Sequence, residues 1–274
     1  MLEAMVTKLK RTGLEMVLGC LCLAVILLLC LYSFTIPYEA ISDYGSTPFA
    51  PPSREHWLGT DQLGRDNFSR LAVGSRSSIW IGACSVLLSG VVGSSMGMVA
   101  AWYGGWPDLL LLRLIDTLKA VPSLLLSMMV VAVFGSSEGI LIATISFITL
   151  PLYARVARGA TLQVRNRDYS LWAKQIGISD GRILIRHILP NIVFSLGVTA
   201  SLGFANAVMS EAALSYLGMG VRPPTPSWGR MLADAGGYLF NAPWLAIGNA
   251  LALVMLVLGF NLLSEGLQKG SRYV

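Results

Sequence analysis

The chain has 274 residues, of which 54% are hydrophobic and only 13% are charged, and its mean hydropathy is +0.65. Soluble domains carry about a quarter charged residues, so this composition excludes an ordinary soluble protein and predicts a single helical membrane domain. The net charge of +5 is then explained by orientation in the membrane, and we expect no nucleic-acid partner.

Six apolar runs reach the length of roughly 20 residues that a membrane-crossing helix needs. They cover residues 14–34, 77–102, 109–134, 139–156, 188–209 and 244–263. The first run follows Lys8, Lys10 and Arg11, but it is long for a signal peptide and lacks a small-residue cleavage site, so we expect it to be retained. The chain then divides into a cytoplasmic N-terminus (1–13), a first crossing with its extracytoplasmic loop (14–76) and a membrane core (77–274).

The basic residues predict which ends face the cytoplasm. With the N-terminus inside, twelve Lys and Arg residues fall in cytoplasmic segments, six fall in extracytoplasmic loops, and two lie within the third crossing. Cytoplasmic segments carry the excess of positive charge in membrane proteins, so both termini are predicted to be cytoplasmic. This orientation puts the polar segment 157–187 inside and the loop 211–243 outside. The RPPTPSWG sequence of that loop predicts a turn-rich structure, because proline has a fixed φ and no N–H.

The second crossing carries small residues at a four-residue spacing, namely Ser89, Gly93 and Gly97. This spacing puts them on one helical face, where small side chains let two helix backbones approach closely. The face predicts either a seam that moves during function or static helix packing, and static packing is the favoured interpretation.

Charged residues recur in three-residue steps near the cytoplasmic end of the third crossing, at Arg113, Asp116 and Lys119. Such residues are neighbours on a helix, and charges inside a membrane usually face protein or water. They either line a translocation pathway or form a structural ion cluster that reaches the interface, and the structural interpretation is favoured. We expect Pro122, one turn later, to loosen the helix by removing a backbone hydrogen bond.

A single carboxylate, Glu211, closes the fifth crossing at its outer end. It could attract a cationic substrate or pair with Arg222. The preferred interpretation is an ordinary glutamate at the membrane interface.

Motifs for chemistry are absent from the sequence. No GxxxxGK[ST] phosphate-binding loop occurs, so any ATP hydrolysis that drives this protein takes place on another chain. His56 and His187 lie on opposite sides of the membrane in this topology and cannot share a metal ion, and no serine sits in a GxSxG turn. We therefore expect no enzymatic activity, no metal site and no cofactor. The cysteines lie in apolar runs without a CxxC and are expected to pack as small hydrophobes: Cys20, Cys22, Cys30 and Cys84.

A polar, basic segment, DYSLWAKQIGISDGRILIRHILPN (168–191), separates the fourth and fifth crossings. Its residues Ala173, Gly177, Leu189 and Pro190 have the spacing of the loop by which permease subunits of ATP-binding-cassette (ABC) importers dock onto their ATPase subunits. The segment resembles that loop. The positions that depart from its usual residues are Leu171, Trp172 and His187.

Further segments resemble the peptide/nickel permease family of ABC importers. They are HWLGTDQLGRDNFSRLAVGSRSS (56–78), RLIDTLKAVPSLLL (113–126), VRNRDYSLWAKQIG (164–177), EAALSYLGMGVRPPTPSWGRMLADA (211–235) and GFNLLSEGL (259–267). The resemblance covers nearly the whole chain after residue 50, with Lys119 as a departure. It implies a type I ABC importer permease fold with six transmembrane helices, in the inner membrane of a bacterium.

The resemblance also implies partners: a second homologous permease subunit, two ABC ATPase subunits that bind ATP and Mg²⁺, and an extracytoplasmic solute-binding protein. The substrate would be a dipeptide, an oligopeptide, nickel or a metal chelate. Residues 168–181 would form the helix that couples ATP hydrolysis to transport, with Trp172 and Ile176 on an apolar face and Lys174 and Arg182 at its rim. The residues expected to take part in this coupling are Asp168, Leu171, Trp172, Ala173, Ile176, Gly177, Ile178, Leu189 and Pro190.

Two alternatives come from other functional classes. A self-contained secondary transporter or channel would need ionisable residues in mid-membrane, and the crossings have few of them outside residues 113–119. An intramembrane enzyme lacks any catalytic motif. The predicted function is therefore a permease subunit that forms half of a translocation pore and depends on separate ATPases.

Overall fold

The structure is a computed structural model that describes residues 2–37 and 47–271. The predictions made for residue 1 of the N-terminus, for residues 38–46 of the first loop and for the basic residue Arg272 lie outside the described residues. Within the described part the regular elements are helices, apart from one isolated bridge between Thr60 and Asp66.

The helices follow one another in a simple order. They are α1 (Leu2–Ser33), α2 (Asn67–Tyr103), α3 (Gly105–Ala120), α4 (Ser123–Phe134), α5 (Glu138–Arg165), α6 (Asp168–Gln175), α7 (Asp180–Ile183) with a π-helical turn (Leu184–Ile188), α8 (Leu189–Tyr216), α9 (Trp228–Gly236) and α10 (Trp244–Ser271). Among the described residues five helical stretches are long and apolar enough to cross a membrane, and the pair α3 and α4 makes a sixth if it counts as one crossing. The all-helical membrane fold is confirmed.

The third crossing is not the single helix expected over residues 109–134. The chain bends by 86° between α3 and α4. Val121 is extended, with φ −99° and ψ 133°, and Pro122 precedes α4. A residue before proline is pushed out of the helical region, and proline itself offers no N–H to the preceding turn. Pro122 therefore ends a helix, where the sequence predicted only a loosened one.

The loop predicted over residues 211–243 is also more ordered than expected. Helix α8 continues to Tyr216, and α9 lies inside the proposed loop. Trp228 at the start of α9 is buried, and its indole Nε1 donates to the carbonyl oxygen of Leu71 on α2 at 2.9 Å. This contact fixes the short helix against the bundle, because a buried indole N–H needs an acceptor.

The described part of the first loop is ordered by a buried carboxylate. The Oδ2 atom of Asp61 forms a salt bridge with the guanidinium of Arg65 at 2.7 Å, and it lies 3.4 Å from Nε of Arg70 on α2. Asp66 caps α2 by accepting from the backbone N–H of Ser69 at 2.7 Å. A side-chain oxygen at this position satisfies one of the free N–H groups of the first helical turn. The loop is therefore tied to the end of α2 from which it enters the bundle.

The bundle is built around the packing of α2 on α5, with α8 against both. Helix α10 packs on α1, where a Cβ at Gly19 would lie only 2.9 Å from the Gly259 carbonyl oxygen. Many large apolar side chains remain exposed on α1, on α2 and on α4. In a protein that spans a membrane, this exposed apolar surface faces lipid or a neighbouring subunit.

Candidate functional site

The segment that resembles a docking loop forms two short helices, α6 and α7, where the resemblance implied one helix over residues 168–181. Helix α6 is anchored on one side by Ala173, which is 4% exposed and packs in a cluster with Trp102, Ile183 and Leu184. Ser170 is also buried and donates its hydroxyl to the Val164 carbonyl at 3.0 Å. The helix is therefore held against the ends of α2 and α5.

The opposite side of α6 is open and apolar. Trp172 is 65% exposed, Ile176 is 70% exposed, and Leu171 is also exposed. Trp172 and Ile176 are four residues apart, so they share a helical face. Asp168 lies in the first turn of this otherwise polar helix, where a negative charge is favourable. An apolar face on a short polar helix is typical of a surface that binds another protein.

Gly177 lies in the turn that terminates α6. Its φ is +80°, a left-handed conformation that glycine adopts without strain. Its N–H donates to the Lys174 carbonyl, and the N–H of Ile178 donates to the Ala173 carbonyl, each at 3.1 Å. This pair of hydrogen bonds is a Schellman motif, which satisfies the last carbonyls of the helix. The chain then turns back through α7 into α8, where Leu189 packs near Ala173 and Pro190 sits in the first turn.

Ionic and polar contacts join the helices at this end of the bundle to one another. Arg158 on α5 binds both carboxylate oxygens of Asp108 at 2.5 and 2.7 Å, and Arg165 donates to the Ala101 carbonyl at 2.9 Å. The ammonium of Lys174 lies 5.5 Å from the centre of the Trp102 ring. The bidentate pair is the strongest type of ion pair between side chains, so α3 and α5 are held together here.

The three charges predicted to form a cluster lie exposed on α3. Asp116 pairs with Arg155 of α5 at 3.7 Å, and both side chains are more than half exposed. Arg113 and Lys119 are exposed as well. Asp116 thus forms its ion pair with a residue of another helix, and the spacing of charges within α3 did not indicate this pair.

Glu211 is buried inside the bundle, whereas the preferred interpretation from sequence was an ordinary glutamate at the membrane interface. Its side chain is 0% exposed, and its carboxylate accepts from the hydroxyls of Ser78 at 3.0 Å and Ser215 at 2.6 Å. Arg222, the suggested partner, instead donates to Ser136 at 3.0 Å. A buried carboxylate is tolerated only when hydrogen bonds replace its water, and these serines supply them.

The small residues of α2 lie at the contact with α5. A Cβ at Gly93 would lie 2.7 Å from the Leu150 carbonyl oxygen, and one at Gly97 would overlap the Ala154 carbonyl oxygen. Ser89 is buried on the same face and donates to the Ser85 carbonyl at 2.7 Å. The predicted close approach of two backbones is confirmed, and its partner is α5.

A cavity of about 460 Å³ opens between α4, α5 and α8. None of the charged residues predicted as pathway candidates lines it. Its lining consists of Ser123, Leu124, Ser127, Ile148, Thr149, Leu152, Asn206, Met209, Ser210 and Ala213. The sequence held a signal for the polar members that the prediction missed, since Ser123 and Ser127, like Asn206 and Ser210, are polar residues four apart on apolar helices.

Comparisons with known proteins agree with this architecture. Residues 93–271 match the family model described as "Binding-protein-dependent transport system inner membrane component". The chain is 38% identical over 217 residues to the dipeptide transport system permease protein DppC of Alkalihalophilus pseudofirmus. This match covers 79% of this chain and 71% of that protein. It is 40% identical over 237 residues to the glutathione transport system permease protein GsiD of Pectobacterium atrosepticum, covering 86% of this chain and 78% of the relative.

The chain therefore belongs to the binding-protein-dependent inner membrane permeases, within the peptide/nickel family of ABC importers. It is a multi-pass membrane protein and a permease subunit, and the family places ATP hydrolysis on partner ATPases. ATPase and substrate-binding partners follow from membership in this family. A self-contained transporter is not favoured.

Proposed function

We propose that this chain pairs with a second homologous permease subunit, and that two ABC ATPase subunits bind the pair from the cytoplasm. An extracytoplasmic solute-binding protein delivers the substrate, and the ATPases bind the ATP and Mg²⁺ that drive import. The observation that carries this assembly is the apolar face of α6, formed by Leu171, Trp172 and Ile176 on a helix too short and too polar to enter a membrane.

The orientation that fits this assembly has both termini in the cytoplasm. It assigns twelve basic residues to cytoplasmic segments and six to extracytoplasmic loops. It also puts α6 on the side of the membrane where ATP is available. The described part of the first loop and α9 then face outward, where they form the surface that receives the solute-binding protein.

Coupling requires that α6 move as a rigid unit with the membrane helices. Ala173 packs against Trp102 of α2, and Ser170 donates to the Val164 carbonyl of α5, so a force on Trp172 reaches α2 and α5. Closure of the ATPase dimer on ATP shifts this helix and favours the outward-facing arrangement of the pathway. Because Ala173 faces the bundle, Ala173→Asp would test the packing of the segment rather than its contact with the ATPase.

The substrate is proposed to be a peptide. The two relatives named above are described as dipeptide and glutathione permeases, and both of these substrates are small peptides. Nickel or a metal chelate is the alternative within the same family. ATP-dependent uptake by the whole transporter in proteoliposomes, with dialanine, glutathione and Ni²⁺ as competing probes, separates these substrates.

The docking face is tested by Trp172→Ala, with Trp57→Ala as its control. Trp57 is 66% exposed, close to the 65% of Trp172, but it lies at the other end of the bundle. Covering the exposed part of Trp172 removes about 160 Å² from water, which corresponds to about 4 kcal/mol as an upper limit. We expect Trp172→Ala to weaken ATPase binding by about 30- to 700-fold, the range for about 2–4 kcal/mol at an interface centre.

The measurement is a titration of the permease pair in nanodiscs with labelled ATPase subunit. Trp57→Ala should bind the ATPase like the parent. Equal affinities for the Trp172→Ala and Trp57→Ala proteins would contradict docking through α6. Uptake in vesicles that contain no ATPase subunit would contradict the proposed function as a whole.

A further inference from the structure

The polar cavity lies at the depth where a substrate pathway is expected. Ser127, Thr149 and Asn206 are about seven to eleven residues from the ends of α4, α5 and α8 that share one side of the bundle. At 1.5 Å per helical residue this is about 10–17 Å, close to half of the roughly 30 Å hydrocarbon thickness. A mid-membrane cavity with polar walls is a costly feature unless water or a solute fills it.

The hydrogen-bonding groups of the wall are mostly acceptors. The hydroxyl groups of Ser127, Thr149 and Ser210 donate to backbone carbonyls of their own helices at 2.7 to 2.8 Å, which leaves their lone pairs free. Among the residues described, the amide of Asn206 and the hydroxyl of Ser123 make no side-chain hydrogen bond of their own. Asn206 is exposed to the cavity and offers both an N–H donor and a carbonyl acceptor.

The wall is also free of charge. No Asp, Glu, Lys, Arg or His is among the ten residues that line the cavity. Bare Ni²⁺ prefers imidazole ligands, and the wall offers none. A carboxamide matches a peptide group, because each has one donor and one acceptor at a similar spacing. Hydroxyl lone pairs suit the N–H groups of a peptide in the same way.

We propose that this cavity is the half of the translocation pathway that this subunit contributes, and that Asn206 there hydrogen-bonds the peptide groups of the substrate. The proposal rests on the proposed function as a peptide importer. The neutral wall holds the backbone that all peptides share and does not select among charged side chains. Selection by charge is then left to the solute-binding protein.

Cysteine accessibility tests the position of the pathway. Asn206→Cys and Ser210→Cys are made in this chain after its four native cysteines are replaced, with Ser201→Cys as the matched control. Ser201 is also a serine of α8 that donates to the carbonyl four residues earlier, but nine residues of helix turn it to the opposite side. In proteoliposomes with the full transporter, a charged, membrane-impermeant methanethiosulfonate should modify positions 206 and 210 about tenfold faster than 201.

Dialanine, supplied with the solute-binding protein and ATP, should slow modification at 206 and 210. Equal rates at all three positions, without nucleotide and with ATP, would overturn the proposal, because lipid or the second permease would then cover the cavity. Dialanine uptake by the cysteine-free parent tests the proposed function separately from the cavity assignment. If the parent takes up dialanine but the three modification rates are equal, only the assignment of the cavity to the pathway is contradicted.

The contact with the peptide group is tested by Asn206→Leu, which keeps the size of the side chain and removes its hydrogen bonds. We expect the KM for dialanine uptake to rise about 2- to 12-fold, the effect of losing one net hydrogen bond. Asn206→Gln should recover part of the affinity, and Ser201→Ala should leave KM unchanged. An unchanged KM in the Asn206→Leu protein would overturn the role given to the carboxamide.

Discussion

From the close contact of α2 with α5 we predict how much Gly93→Ala lowers the free energy of unfolding. The new Cβ would lie 2.7 Å from the carbonyl oxygen of Leu150 and 3.0 Å from the Cβ of Tyr153. An ordinary contact needs at least 3.4 Å, so the two helices must separate by about 0.7 Å. The obstacles are backbone atoms of α5 and the Cβ of Tyr153, and a change of side-chain rotamer moves none of them. Overpacking of this kind costs about 1–3 kcal/mol.

Gly90→Ala is the matched control on the same helix. Its Cβ would meet only the ring of Tyr153, at 3.7 and 3.8 Å, which is ordinary van der Waals contact. Both substitutions gain the same helix propensity, up to about 1 kcal/mol, so this term cancels in the comparison. The protein with Gly93→Ala should therefore be less stable than that with Gly90→Ala by about 1–3 kcal/mol.

The assay is equilibrium unfolding in mixed micelles titrated with sodium dodecyl sulfate, followed by tryptophan fluorescence. Equal free energies of unfolding for the two variants would refute the close approach of α2 to α5. Uptake per folded transporter then distinguishes the two interpretations of this face. A static contact leaves that uptake unchanged in the Gly93→Ala protein, whereas a seam that moves during transport lowers it further.

Two more predictions concern charged residues in the bundle. Glu211→Ala should lower the free energy of unfolding by about 2–5 kcal/mol, because it opens a cavity and leaves two serine hydroxyls without their acceptor. Glu265→Ala, at an exposed site on α10, should change this free energy by less than about 0.5 kcal/mol. Equal decreases in the two variants would show that burial of Glu211 is not the cause. A double-mutant cycle on Asp108 and Arg158 should give a coupling energy of about 1–3 kcal/mol. The exposed Asp–Arg pair between the same two helices should give less than about 1 kcal/mol, and the reverse order would contradict the bidentate geometry.

Local sequence features accounted for the parts of this protein that local physics decides. Apolar runs predicted the membrane helices, because a helix in lipid must satisfy its backbone within one continuous segment. The spacing of Ala173 and Gly177 indicated the docking segment, and the Schellman turn is the structural reason for the glycine. The helix expected over residues 168–181 ends at Gln175, because this turn stops it. The small residues from Ser89 to Gly97 predicted a close helix contact, since their four-residue spacing is itself a helical property.

Tertiary structure decided what depends on residues far apart in the chain. Glu211 is buried because Ser78, 133 residues earlier, reaches its carboxylate, and no local pattern around either residue announces that contact. Trp228 turns a proline-rich loop into a docked helix through Leu71, 157 residues away. Hydropathy also cannot give the direction of a helix after Pro122, because an 86° bend leaves the composition of both halves unchanged. The polar cavity forms where α4, α5 and α8 meet. The sequence shows its serines and its asparagine, but only the packing of the three helices brings these side chains onto one surface.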